Sequence, residues 1–184
     1  MDAQMTENGI REMIAPAVVS STKSVFGTML GVELTPGKVL EDRSAPHPTD
    51  GVVSLVGLAG PWMGAGSIAC TPEAACRISG ALLMTEFPAI NEEVLDAVAE
   101  VTNMVIGNVK TVIEEHVGSM GLSIPTVIYG RNFSTKSAGH HDWTVVPFQM
   151  DEETILVQVC LVPNQDGLRS SRLGFTNPPR AGVR

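Results

Sequence analysis

One segment, residues 91–117, constrains the fold of this chain more than any other. Its apolar residues recur at the spacing of an α-helix, so they gather on one arc, and no proline interrupts them. Asn91 is suited to cap the first turn, where the carboxylates of Glu92 and Glu93 favour the helix dipole. Gly118 offers a stop. We therefore predict one long helix whose apolar arc faces a core.

Almost opposite the apolar arc, the same segment carries a narrow polar stripe. Its members are Asp96, Glu100, Asn103, Gly107, Lys110 and Glu114. A solvated helix face is the ordinary interpretation of such a stripe. However, Glu100 and Asn103 are spaced to project side by side, asparagine is a weak helix former, and Gly107 costs roughly 1 kcal/mol relative to alanine. A docking site for a polar partner is the alternative, with Gly107 permitting close approach and Lys110 at the rim.

Composition and charge exclude several classes of function. The 184 residues suffice for one domain with a substantial core, and 43% hydrophobic and 17% charged residues are ordinary for a globular protein. A net charge of −8 argues against general affinity for nucleic acid or anionic membranes. Residues 164–184 carry four arginines and one aspartate, so this tail is basic, whereas the remainder is near −11. We predict one domain over 1–163 and a mostly disordered basic tail over 164–184.

The cysteines, histidines and N-terminus indicate a reduced, metal-free cytoplasmic protein. Cys70, Cys76 and Cys160 are odd in number and lack metal-ligand spacing, so we predict buried reduced thiols. The run His-His-Asp at 140–142 supplies too few ligands for a metal site, so we interpret it as an ordinary loop. The N-terminus does not resemble a signal peptide, and no apolar run is long enough to span a bilayer.

The rest of the chain alternates helices with strands. Helical spacing predicts a first helix over 7–30, and a Thr-Pro-Glu start predicts a second over 72–84. Runs rich in Val, Ile and Thr predict strands at 32–41 (with a turn at Pro36-Gly37), 51–60, 63–71, 122–130, 143–150 and 154–162. Two blocks of a helix followed by three strands favour an α+β fold with helices packed on one side of a mainly antiparallel sheet.

The polar stripe also belongs to a longer motif. Asp96, Glu100, Asn103 and Pro125 follow one another in the order of the signature of the CheC/CheX/FliY phosphatases. The runs EVTNMVIGNVKT and SIPTVIYG resemble CheX in particular, and the resemblance covers about residues 10–162. It implies a CheX-like α+β fold and a protein phosphatase that hydrolyses the aspartyl phosphate of a CheY-like response regulator, in chemotaxis or another two-component pathway.

The resemblance implies a role for each motif position. Asn103 would position an in-line water, Glu100 would contact the lysine of the regulator, and Asp96 would support this contact. The chain would bind no cofactor, because the phosphorylated regulator is expected to supply its own Mg²⁺. This agrees with the lack of a nucleophile–base motif or a phosphate-binding glycine loop. CheX-like proteins also imply a homodimer.

A weak internal echo is consistent with this family. SVFGTMLG at 24–31 aligns with MVIGNVKT at 104–111, and in that register Ser20 and Lys23 stand where Glu100 and Asn103 stand. The first helix would then lack both the acid and the amide. CheX-like proteins similarly resemble a duplicated unit with one surviving active site.

Two other functions are compatible with the sequence. One is a CheX-like binding or dimerisation module in a signalling pathway, with the fold but without useful turnover. The other is an unrelated small-molecule-binding α+β domain, which a deep apolar pocket away from the long helix would favour.

Overall fold

The computed structural model describes residues 7–42, 50–131, 133 and 142–164. These residues form three α-helices and one antiparallel sheet. The helices are α1 (Glu7–Val25), α2 (Pro72–Leu83) and α3 (Glu92–Val117), and α1 continues as a π-helical turn over Phe26–Leu30. The strands are β1 (Thr35–Pro36), β2 (Leu40–Asp42), β3 (Asp50–Ala59), β4 (Trp62–Cys70), β5 (Gly121–Leu122), β6 (Thr126–Arg131), β7 (Trp143–Met150) and β8 (Glu153–Pro163).

Capping side chains determine where α2 and α3 begin. The Oγ1 atom of Thr71 accepts a hydrogen bond from the N–H of Ala74 (3.1 Å), and Pro72 occupies the first helical position. The Oδ1 atom of Asn91 accepts the N–H of Val94 (2.9 Å) in the same way. Each cap satisfies a backbone donor that a helix start leaves unpaired. The predictions for both helices are confirmed.

The first helix is also confirmed, although its last turn differs from a regular α-helix. Pro16 lies inside α1 without ending it, on an exposed position of the helix, where water can satisfy the carbonyl group that loses its partner. The helix then widens into the π-helical turn and stops at Gly31, whose φ of 66° is the left-handed conformation that glycine adopts readily.

The sheet follows the order β1-β7-β8-β4-β3-β5, with β2 also pairing with β7 and β6 with β3. Every described strand pair is antiparallel, and α1, α2 and α3 pack on one side. The predicted fold class is therefore confirmed. The predicted strands 32–41 and 122–130 are each two short strands. The first breaks after Pro36, at the predicted turn, and the second breaks before β6 at Pro125, which lacks the N–H that a ladder needs.

From either edge, the sheet begins with two short strands that border a hairpin. The β3–β4 hairpin and the β7–β8 hairpin meet through the pairing of β4 with β8. The short strands β1 and β2 border β7, whereas β5 and β6 border β3. The unit α1 to β4 and the unit α3 to β8 therefore each add their short strands to the other unit's hairpin. This arrangement supports the duplication that the sequence echo indicated.

The main core fills the space between the sheet and the helices. Its largest fully buried side chains include Phe26 and Phe148, and most of the others are aliphatic, because only 4% of the residues of the chain are aromatic. Burial raises the pKa of the Cys70 thiol to about 12 and that of Cys160 to about 11. The prediction of buried free thiols is right for these two, whereas Cys76 on α2 is only half-buried.

Several sequence predictions fall on undescribed residues. The two histidines of the 140–142 run and the tail from 165 onwards lie outside the described residues. Asp142 is described, and one of its carboxylate oxygens accepts a hydrogen bond from Nη1 of Arg11 (3.0 Å). Within the described ranges, no helix has the length and apolar character needed to cross a membrane.

Candidate functional site

Helix α3 is held in place along its full length by one buried face. It packs against α1, α2 and the sheet. Its buried residues are Val94, Ala97, Val98, Val101, Thr102, Val105, Ile106, Val109 and Ile113. Because these residues recur at helical spacing, the residues between them point away from the core. The predicted polar stripe is therefore carried on a rigid element.

The three polar motif residues of the stripe lie where the sequence predicted. Asp96 and Glu100 are exposed, and Asn103 is half-buried one turn after Glu100, about 4.5 Å further along the helix axis. In the described part of the chain, no hydrogen bond or ion pair engages the side chains of these three residues. Polar groups in this condition are available to water or to a partner. Pro125 is half-buried in the connection before β6.

Lys110, which the sequence analysis placed at the rim of a docking site, forms an ion pair with Glu114 of the same helix. Nζ of Lys110 lies 2.6 Å from Oε2 of Glu114. The other carboxylate oxygen of Glu114, Oε1, accepts the N–H of Met120 (2.6 Å), which ties the segment after α3 back to the helix. The Lys110 ammonium, followed by this N–H, holds the pKa of Glu114 below its ordinary value. The ammonium of Lys110 is thus already partly neutralised at the rim of the stripe.

Gly107 is half-buried beside β5. A Cβ at this position would meet only Cδ1 of Leu122, at 3.6 Å, which is an ordinary contact distance. The fold itself therefore does not require glycine here. An outward glycine that its own chain does not need is compatible with the predicted close approach of another surface.

A groove next to the stripe was not predicted from the sequence. This α2–α3 groove has a volume of about 620 Å³ and is lined by Leu82, Leu83, Thr85, Phe87, Glu93, Asp96, Ala97 and Glu100. The sequence placed Leu82 and Leu83 at the end of α2 but did not indicate which element they face across the groove. The run of apolar residues at the exposed end of α2 was the one available signal.

No metal centre is formed by the residues that the structure describes, since none of their histidine, cysteine and acidic side chains cluster in groups of three or more. Asp96 and Glu100 are two carboxylates on one helix, and a protein cage for Mg²⁺ or Zn²⁺ needs more ligands. The arrangement on α3 is suited instead to polar contacts with a second molecule.

Known proteins resemble this chain in both sequence and structure. A curated relative, the CheY-P phosphatase CheX of Thermotoga maritima, is 28% identical over 130 residues, which span 68% of this chain and 81% of that protein. A CheC-like superfamily protein from Shewanella sp. PV-4 has a TM-score of 0.73 at 26% identity, covering 86% of this chain and 99% of the other. A chain of the CheX–CheY–BeF₃–Mg²⁺ complex of Borrelia burgdorferi has a TM-score of 0.67 at 26% identity, covering 80% and 97%.

The family model described as chemotaxis phosphatase CheX matches residues 52–149, more than half of the chain. The match contains most of the β3–β4 hairpin, all of α2 and α3, and most of β7. It therefore includes the whole stripe and the α2–α3 groove. The resemblance seen in the sequence is confirmed, and this chain belongs to the CheX family.

Proposed function

We propose that this protein is a phosphatase that hydrolyses the aspartyl phosphate of a CheY-like receiver domain in a two-component, chemotaxis-type pathway. Asn103 and Glu100 are its catalytic residues. One observation carries the proposal: in a chain of the CheX family, the side chains of Glu100 and Asn103 lie one turn apart on the outward face of α3, unengaged by any described residue.

The amide of Asn103 positions the attacking water. Its oxygen accepts a hydrogen bond from the water, which aims the oxygen of the water at phosphorus in line with the leaving aspartyl oxygen. A new bond forms between the water oxygen and phosphorus, and the bond from phosphorus to the aspartate oxygen breaks. The aspartate leaves as a carboxylate, and the protons of the water end on inorganic phosphate and in solvent. The short side chain on a well-packed helix keeps the amide in place before the reaction begins.

Glu100 and its neighbours hold the receiver in register. The exposed Glu100 carboxylate forms a charged contact with the receiver's lysine, and Asp96, one turn earlier, supports the same surface. Gly107 allows close approach on the other side of Asn103. Lys110, paired with Glu114, contributes little at the rim.

Mg²⁺ comes from the receiver rather than from this chain. Two observations support this assignment. The Borrelia complex contains CheX, CheY, BeF₃ and Mg²⁺ together. In addition, the described residues of this chain contain no cluster of three potential metal ligands.

Self-association through a sheet edge is also part of the proposal, because short strands form both edges and leave backbone groups for pairing. The mass of the purified protein by light scattering tests for the homodimer.

The experiment compares wild type with Asn103→Ala. Receiver domains are phosphorylated and freed of phosphodonor, and phosphate release is followed with Mg²⁺ and catalytic amounts of this protein. We expect Asn103→Ala to fold normally and to lose roughly 10²-fold or more in rate, the scale of one lost positioning group. Asn108→Ala is the matched control, because it makes the same change at an exposed position of α3 outside the stripe.

The same experiment separates the enzyme from a binding module without turnover. A wild-type-like rate for Asn103→Ala would end the water-positioning assignment. If the wild-type protein binds receivers but accelerates phosphate release from none of them, the binding module is the correct function.

A further inference from the structure

We propose that the α2–α3 groove selects the receiver domain, by taking an aliphatic side chain that the receiver presents beside a lysine or arginine. This inference rests on the proposed function, since it concerns the same partner. It goes further because it adds Leu82, Leu83, Phe87 and Glu93, which lie outside the Asp96–Glu100–Asn103 motif, to the recognition surface. It also specifies the chemistry that this surface requires of the receiver.

The groove has an apolar side that faces solvent. Leu83 is 47% exposed at the end of α2, whereas Ala97 of α3 is only 4% exposed. Leu82 and Phe87 are half-buried and complete this apolar side. Exposed apolar surface next to a polar site indicates a place where another molecule is bound. A volume of about 620 Å³ is enough for one or two side chains of a partner.

The opposite rim of the groove is acidic. Glu93, Asp96 and Glu100 line it and span about 10 Å along the axis of α3. Ion pairs among the described residues engage other carboxylates: Arg11 pairs with Glu7 and Asp142, Arg77 with Asp151, and Lys110 with Glu114. No described cation neutralises the three rim carboxylates. A partner that places a positive charge here gains attraction, whereas an acidic partner is repelled.

The position of the groove identifies the receiver as its occupant. Glu100 belongs both to the rim of the groove and to the catalytic pair, so the two surfaces are continuous. Glu93, at the far end of the rim, precedes Asn103 by about 15 Å along the helix. A protein interface of ordinary size covers about 800 Å² on each partner, which is a patch of roughly 16 Å radius. A receiver interface of this size, centred on Asn103, therefore reaches Glu93 at the far end of the rim, and Glu100 of the groove lies between the two.

The first test removes the apolar contact and adds a repelling charge. For Leu83→Lys, we expect the KM for phosphorylated receiver to rise roughly tenfold or more, while kcat changes less than about twofold, because the groove lies beside the reacting atoms and not on them. Met63→Lys is the matched control. Met63 is also 47% exposed but lies on β4, where successive residues point to opposite faces of the sheet. Trp62 and Ile68 face the core, so Met63, an odd number of residues from each, lies on the sheet face away from the helices. Circular dichroism and thermal unfolding verify that both variants are folded.

The second test addresses the acidic rim. Glu93→Gln should raise KM about threefold at low salt, and the difference should vanish near 0.5 M salt, because ions screen exposed charges. Glu92→Gln is its control, since Glu92 is also exposed in the first turn of α3 but does not line the groove. Equal KM values for Leu83→Lys and Met63→Lys, or for Glu93→Gln and Glu92→Gln, would overturn the inference.

Titration with receivers that carry BeF₃ in place of the phosphoryl group measures binding without hydrolysis. It distinguishes an error in the groove assignment from an error in the proposed function. If the wild-type protein is catalytically active but Leu83→Lys behaves like Met63→Lys, the groove assignment fails alone. If the wild-type protein binds receivers without catalysing hydrolysis, and Leu83→Lys weakens that binding, the catalytic proposal fails and the groove assignment stands. If no receiver binds, both are wrong.

Discussion

Gly66 of β4 lies directly under Ile106 of α3, and a Cβ on Gly66 would be 2.6 Å from Cδ1 of Ile106. Ile106 is fully buried, so it has no free space to move into. The missing side chain at Gly66 therefore allows α3 to pack close to the sheet. Asn103 is half-buried one turn before Ile106, and the depth of the helix determines how far its amide protrudes.

Gly66→Ala should destabilise the protein by about 1–3 kcal/mol, because the added methyl group overpacks a filled core. Urea unfolding followed by circular dichroism measures the loss. Gly27→Ala is the control, since a Cβ at Gly27 would meet nothing within 4 Å. Equal stability of the two variants would show that α3 shifts without cost.

Glu100→Ala should mainly weaken binding of the charged receiver, by about tenfold, because the lost carboxylate contacts a cation at the interface. Titration with BeF₃-charged receiver measures the affinity. Glu115→Ala makes the same change at an exposed position about 22 Å further along α3. An affinity unchanged from wild type would contradict the role of Glu100.

Gly107→Ala should change stability and recognition in opposite senses. The fold gains up to about 1 kcal/mol, because alanine favours a helix interior and the new Cβ meets only Leu122 at an ordinary distance. The KM for the receiver should rise several-fold, because the methyl group occupies the surface that the receiver approaches. Thermal unfolding and steady-state kinetics on the same samples test both. A more stable variant with wild-type KM would show that the glycine does not serve docking.

Glu114 should make the stability of the protein depend on pH in the acidic range. Lys110 and the N–H of Met120 lower the pKa of Glu114 in the folded state. The ionised carboxylate therefore stabilises the fold at pH values above its unfolded-state pKa. This stabilisation is lost as the pH falls through its folded-state pKa. Between about pH 5 and pH 3, Glu114→Gln should therefore lose less stability than wild type. Urea unfolding across this range measures how steeply the free energy of unfolding depends on pH. Glu115→Gln, the same change at the exposed neighbouring residue, is the control. Parallel slopes for wild type and Glu114→Gln would count against the coupling.

Much of the candidate site was predictable because its signals are local. The cap at Asn91, the buried arc and the outward stripe with Glu100 and Asn103 all follow from the 3.6-residue period and from capping chemistry within a few residues. The interruption of a strand at Pro125 is likewise a property of one residue.

The tertiary structure alone decided the contacts between distant residues. The pairing of β4 with β8, the seating of Ile106 over Gly66, and the meeting of Leu83 with the α3 residues of the groove each join segments that no local pattern relates. Helix periods and caps are encoded by neighbouring residues, so the sequence by itself determined α3 and the face that it presents. Which elements then surround that face depends on the packing free energy of the whole core, which is shared among many residues and has no short sequence signature.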